Sequence, residues 1–137
     1  NGWMDLLDGA LARQQGVDSM AGDLLDHVID RYADIVIIAG LAAGVEGYLL
    51  GFLAVTGVLM TSYLGTQAQA VGLDRVYGGL VGRADRLAII GIVTAISAIV
   101  SAPVGGLSLA GWLLVFLAGV GNLTALQRFY GSMRALE

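Results

Sequence analysis

Cysteine is absent from the 137 residues, which removes disulfides, thiolate metal sites and cysteine nucleophiles together. Lysine is absent too: all seven cations are arginine, set against nine aspartates and two glutamates. Charge of either sign is scarce, at 13% of residues against the roughly 25% of ordinary soluble domains. A formal net charge of −4 excludes a nucleic-acid binder, which needs a basic stripe. Proline occurs once, and the 21 glycines are separated by long apolar runs, which excludes a collagen-like or disordered chain. What remains in quantity is apolar: 57% of residues, with a mean hydropathy of +0.79. That composition excludes a soluble enzyme and leaves an integral, all-α membrane protein.

An Asp-rich, Lys-free chain suits a salt-loaded cytoplasm, the reverse of the Lys/Glu enrichment of hyperthermophiles. It points to a halophilic source. The chain opens on Asn1-Gly2-Trp3 with no signal peptide, as if clipped from something longer.

A spanning helix needs about 20 mostly apolar residues. Residues 107–127 carry no charge and form the clearest span, and residues 87–102 form another, between Arg86 and Pro103. Between Ile35 and Leu73 the only charge is Glu46. That run is too long for one span, and Gly40, Gly44 and Gly47 suggest a turn that makes it two. The first of these helices is expected to begin near Asp18-Ser19 and the second to end near Gly72. Residues 3–15 form a shorter helical segment. The expected architecture is a polytopic transmembrane helix bundle, with four full spans and part of another. Gly47, Gly51, Ala54 and Gly57 would allow helices to approach closely.

Alternate threading puts Arg13, Arg75, Arg83, Arg86, Arg128 and Arg134 on one side, and leaves the turns near 40–47 and 102–106 without arginine. Positive charge marks the cytoplasmic side. Trp3, Trp112, Tyr48 and Tyr130 suit the interfacial belts, Met4, Met20, Met60 and Met133 suit packing, and His27 reads as an interfacial side chain.

Carboxylates stand where apolar helices should exclude them. A mid-membrane Asp costs at least about 2.5–3.5 kcal/mol, so Asp5, Asp8, Asp26, Asp30 and Asp34 are functional candidates. Asp5 and Asp8 are three apart and Asp26 and Asp30 four apart, so each pair shares a helical face. Gly22 continues the second stripe one turn earlier. Two helices joined by a tight turn would bring four carboxylates to one point, and their oxygens suit magnesium or manganese.

These residues read D-x-x-D-G-x-x-A-R-x8-G-x3-D-x3-D, eight fixed positions from Asp5 to Asp30. The pattern resembles the signature of the CDP-alcohol phosphotransferase (phosphatidyltransferase) family. The resemblance implies a six-helix membrane fold, of which residues 1–137 would be a single domain lacking its N-terminal helix. It implies a CDP-linked lipid as donor, a small polar alcohol as acceptor, release of CMP, and the membrane as the lipid partner. On that comparison Asp5, Asp8, Asp26 and Asp30 hold two divalent ions, and Asp30 is also the general base. Gly9, Ala12, Arg13 and Gly22 match the CDP-binding positions. A homodimer with its active site on the cytoplasmic face is implied as well. If the source is a halophilic archaeon, the donor is CDP-archaeol rather than CDP-diacylglycerol.

Asp30-Arg31-Tyr32-Ala33-Asp34, Gly82-Arg83-Ala84-Asp85-Arg86-Leu87 and Thr124-Ala125-Leu126-Gln127-Arg128 are similar to segments of the branch that uses inositol phosphate. There, arginines at the positions of Arg83 and Arg128 bind the acceptor's own phosphate, as glycerol phosphate would also require. Arg83 and Arg86 suit positive-inside anchors as well. The branch also carries Lys and Arg shortly after a Ser-Tyr pair, whereas Ser62-Tyr63 is followed by no cation before Gln67 and Gln69. Two alternatives stand beside the lipid transferase: a synthase joining CDP-inositol to inositol phosphate, and a non-enzymatic cation carrier or channel. The latter leaves Gly9, Ala12, Arg13 and Gly22 at fixed offsets without a purpose.

Overall fold

The computed structural model describes residues 2, 20–74, 83–100, 102–103 and 105–137. Four helices lie among the described residues of 20–137: α1 (Met20–Val45), α2 (Tyr48–Ala70), α3 (Arg83–Ile99) and α4 (Leu109–Leu136). No β-strand occurs among the described residues. The chain falls into two compact units, Asn1–Ala33 and Asp34–Glu137, with the boundary inside α1.

In the second unit the core gathers Ile38 and Ala42 of α1, Ala54 and Val58 of α2, Ile90 of α3, and Leu113, Leu114 and Leu117 of α4. The buried positions of α2 are mostly small: Gly51, Ala54, Gly57, Thr61, Gly65 and Ala68 recur every three or four residues. Such a stripe lets backbones meet, as glycine does in membrane helices generally. A Cβ on Gly57 would stand 2.6 Å from the Asn122 backbone nitrogen, and one on Gly121 would stand 3.3 Å from the Gly57 carbonyl carbon. A Cβ on Gly51 would meet the Ala42 side chain.

The outward surface is apolar. Leu49, Phe52, Ile92, Ile99 and Leu126 are all more than half exposed, while Asp34, Arg86 and Arg128 are buried. Soluble proteins rarely expose so much contiguous apolar surface. By length and composition, α2 and α4 can cross a membrane. The expectation of four such spans meets two limits. The first part of α1 carries Asp23, Asp26, Asp30 and Arg31, and the described part of α3 begins at Arg83 and runs 17 residues, about 26 Å at 1.5 Å per residue.

Helix ends depart from the sequence expectation in instructive ways. Gly40 and Gly44 stay helical, with open space where a Cβ would be, and the break comes only at Glu46 (φ 54°). There the Gly47 N–H donates to the Ala42 carbonyl at 3.0 Å and the Glu46 N–H to the Ala43 carbonyl at 3.3 Å. This paired closure satisfies carbonyls that the helix end leaves open. The same closure ends α2, with Leu73 donating to Ala68 (2.9 Å), Gly72 to Gln69 (3.1 Å), and Gly72 at φ 95°. Near Gly72 is where the sequence placed that end. At the start of α4, Ser108 caps the helix by accepting the Gly111 N–H at 3.2 Å. α4 runs nine residues past the end of the uncharged stretch at 127, because backbone hydrogen bonding continues once side chains turn polar.

Candidate active site

Within the first unit, α1 carries three of the eight motif residues. Gly22, Asp26 and Asp30 follow one another at four-residue intervals, so they lie on one helical stripe. Asp26 is exposed, and Gly22 and Asp30 are half-buried. The His27 Nδ1 is 2.8 Å from the Asp23 carbonyl, a contact in which the ring nitrogen donates. Asp5, Asp8, Gly9, Ala12 and Arg13 lie outside the described residues. Among the described residues, no cluster of three or more acidic or histidine side chains is arranged to hold a metal.

The second unit holds a polar centre of its own. The Arg86 Nη2 donates to Asp34 Oδ2 at 3.0 Å, with side-chain exposures of 6% and 2%. The Arg128 Nη1 donates to the Thr61 carbonyl at 2.8 Å, and the Thr61 hydroxyl donates to the Gly121 carbonyl at 2.9 Å. Beside them is a small cavity of about 10 Å³, lined by Thr61, Arg86 and Thr124 together with Val58, Phe116 and Leu117. The Thr124 hydroxyl is buried and has no hydrogen-bond partner among the described residues. Leaving a buried hydroxyl unmet costs about 1–3 kcal/mol, so this corner suits a water or an oxygen of a bound ligand.

Of the two expected acceptor arginines, Arg128 is buried at this centre, and Arg83 is exposed at the first residue of α3. Arg86, weighed in the sequence only as an anchor, is the α3 arginine that turns inward. Its signal was present: Arg86 follows Arg83 by three residues and stands one residue before an apolar run, where an inward cation requires a carboxylate such as Asp34.

A family model described as CDP-alcohol phosphatidyltransferase matches residues 1–124. The archaetidylinositol phosphate synthase of Methanothermobacter thermautotrophicus is 33% identical over 133 residues, covering 93% of this chain and 63% of that protein. The phosphatidylinositol phosphate synthase of Mycolicibacterium smegmatis is 36% identical over 135 residues, covering 92% of this chain and 59% of that protein. Among solved structures, the Mycobacterium tuberculosis phosphatidylinositol phosphate synthase with CDP-DAG bound superposes with a TM-score of 0.71 at 27% identity. That match covers 93% of this chain and 66% of the other. The chain spans just under two thirds of the length of these relatives.

Proposed function

Because the chain belongs to the CDP-alcohol phosphatidyltransferase family, we propose that it transfers a phosphatidyl-type group from a CDP-linked lipid to a phosphorylated polar alcohol. It is an integral membrane protein, as its apolar exterior and its relatives require. Both kinds of synthase named above make inositol phosphate lipids, and inositol phosphate is the acceptor favoured here. The lipid of the donor is archaeol or diacylglycerol, the two that such relatives carry in their names.

Enzymes of the family need divalent cations. The described part of the donor set fits one: Asp26 and Asp30 offer hard carboxylate oxygens from successive turns of α1. Asp5 and Asp8 complete the set in the motif. Bound there, a magnesium or manganese pair supplies charge neutralisation for the diphosphate and the departing CMP. The remaining work falls to the chain. Asp30 takes the proton of the acceptor hydroxyl as its oxygen attacks the lipid-side phosphorus and the bond to CMP breaks. Arg13 donates to the diphosphate, and Gly9, Ala12 and Gly22 leave room for the nucleotide. Arg128 and Arg86, with Arg83 at the mouth, bind the acceptor's phosphate. The site faces the cytoplasm, where CDP-linked donors and phosphorylated alcohols are found, and the protein works as a homodimer.

The observation that carries this proposal is the buried pair of arginines, Arg86 and Arg128, which face a single buried carboxylate, Asp34, in a largely apolar bundle. A buried guanidinium is expensive in a membrane interior and marks a substrate path by default. Each charge-assisted contact to phosphate is worth about 1.5–3 kcal/mol, so Arg128→Ala should raise the acceptor KM about ten- to a hundredfold while the KM for the CDP-lipid stays close to native. Preference for free serine or free inositol, with that activity untouched by Arg128→Ala, would show that no acceptor phosphate is bound here.

A further inference from the structure

Asp34 lies outside the eight-residue motif, yet it is the most deeply buried carboxylate among the described residues, at 2% exposure. Its Oδ2 accepts the Arg86 Nη2 hydrogen bond at 3.0 Å across 52 residues of sequence. Desolvating two ions costs about what their attraction returns, so such a pair adds little stability over apolar side chains of the same volume. What the pair supplies is direction. A guanidinium is a rigid planar fork on a flexible stem, and a hydrogen bond from its Nη2 to a carboxylate fixed on α1 sets where the fork sits. On its other side Arg86 lines the cavity that also holds the Thr124 hydroxyl. Arg86 therefore stands between a buried anion and a corner with room for about one water or one ligand oxygen beside Thr124.

We propose that Asp34 is a positioning residue for acceptor recognition: it holds Arg86 against the Thr124 corner and so sets acceptor affinity through Arg86. The inference rests on the acceptor role given to Arg86 above. It also makes a prediction of sign. Removing the Asp34 charge leaves Arg86 and Arg128 as an excess of buried positive charge, which by attraction alone would tighten an anionic acceptor. If positioning dominates, binding weakens instead.

The test uses the protein in lipid nanodiscs, with inositol phosphate as acceptor, and compares Asp34→Asn, Asp34→Glu, Arg86→Gln and the Asp34→Asn/Arg86→Gln double variant. Arg86→Gln and Asp34→Asn should each raise the acceptor KM about ten- to a hundredfold, with the CDP-lipid KM changed less than about twofold. The double variant should be no worse than Arg86→Gln alone, since Asp34 acts only through Arg86. Asp34→Glu keeps the ion pair but lengthens it by one methylene. It should keep a native thermal midpoint while raising the acceptor KM several-fold, which covers the case in which Asp34→Asn fails to fold. Additive effects in the double variant, an unchanged or lower acceptor KM in folded Asp34→Glu, or an equal rise in donor KM would overturn the proposal. If Arg86→Gln itself leaves the acceptor KM unmoved, the acceptor role of Arg86 fails and this inference fails with it. If only the Asp34 variants are silent, positioning alone is refuted.

Discussion

The crossing of α2 and α4 gives the sharpest prediction, because backbone meets backbone there. In Gly57→Ala the new methyl would lie 2.6 Å from the Asn122 backbone nitrogen and 2.8 Å from the Gly121 carbonyl carbon. Neither is the end of a flexible side chain, so the helices themselves must separate. Three interhelical hydrogen bonds span that crossing. Asn122 Nδ2 donates to the Leu53 carbonyl at 2.9 Å, Thr61 to Gly121 at 2.9 Å, and Arg128 to Thr61 at 2.8 Å. Overpacking costs about 1–3 kcal/mol, and each weakened interhelical bond adds roughly 0.6 kcal/mol in a membrane protein. Alanine returns about 0.5–1 kcal/mol of helix propensity, leaving a net loss of about 2–4 kcal/mol.

Gly119→Ala is the matched control. It lies two residues from Gly121 on the same helix, is exposed, and has open space where a Cβ would go. It should be neutral or slightly stabilising. Unfolding curves in mixed detergent, followed by far-ultraviolet circular dichroism, measure both variants against the native protein. Coincident curves for Gly57→Ala and Gly119→Ala would refute the close contact between backbones and, with it, the account of how Arg128 is placed.

Asp26→Asn should abolish CMP release without altering helical content; near-native turnover would remove Asp26 from the metal set. Glu46→Gly should stabilise the protein by about 0.5–1 kcal/mol, because Glu46 holds a left-handed backbone that glycine adopts freely; a drop in thermal midpoint would contradict this. In a chain with no native cysteine, Asp74→Cys should react with impermeant thiol reagents only from the cytoplasm, and Ala102→Cys only from outside. Labelling of both positions from the same side would overturn the threading.

Much of this architecture was legible in the sequence because apolar length and glycine spacing report directly on burial. The stripe from Gly51 to Gly57 announced a close contact, and Gly72 announced the end of α2. The break after α1 was harder to place. Gly40 and Gly44 are as glycine-like as Gly47, but the helix ends where the backbone turns left-handed at Glu46, a residue that carries no such signal. Arg83 and Arg86 look alike in sequence, one turn apart on α3. Which of them turns inward depends on Asp34 and on the walls of a cavity built from α2 and α4, contacts more than twenty residues away. The carboxylate motif was the opposite case. Its spacing shows in the sequence which carboxylates share a helical face, as Gly22, Asp26 and Asp30 do on α1, while Asp34, one turn beyond it, showed its partner only in three dimensions.

The register of α2 against α4 bears on how the chain threads the membrane, independently of where its arginines fall. A Cβ on Gly47, at the start of α2, would touch Leu114; Gly57 meets Gly121 and Asn122; and the Thr61 carbonyl takes the Arg128 hydrogen bond. Residue numbers rise together along both helices, so α2 and α4 run parallel. Two parallel neighbours must be joined by a return path across the same thickness, and α3 is the helix between them. Arg86, in the first turn of α3, shares its cavity with Thr61 and Thr124 in the later halves of α2 and α4. The first turn of α3 therefore places Arg86 beside the middle stretches of both helices. The Asp34 carboxylate is what lets Arg86 stay inside the bundle: without a buried partner, a first-turn charge on the return helix would be drawn out to the headgroups.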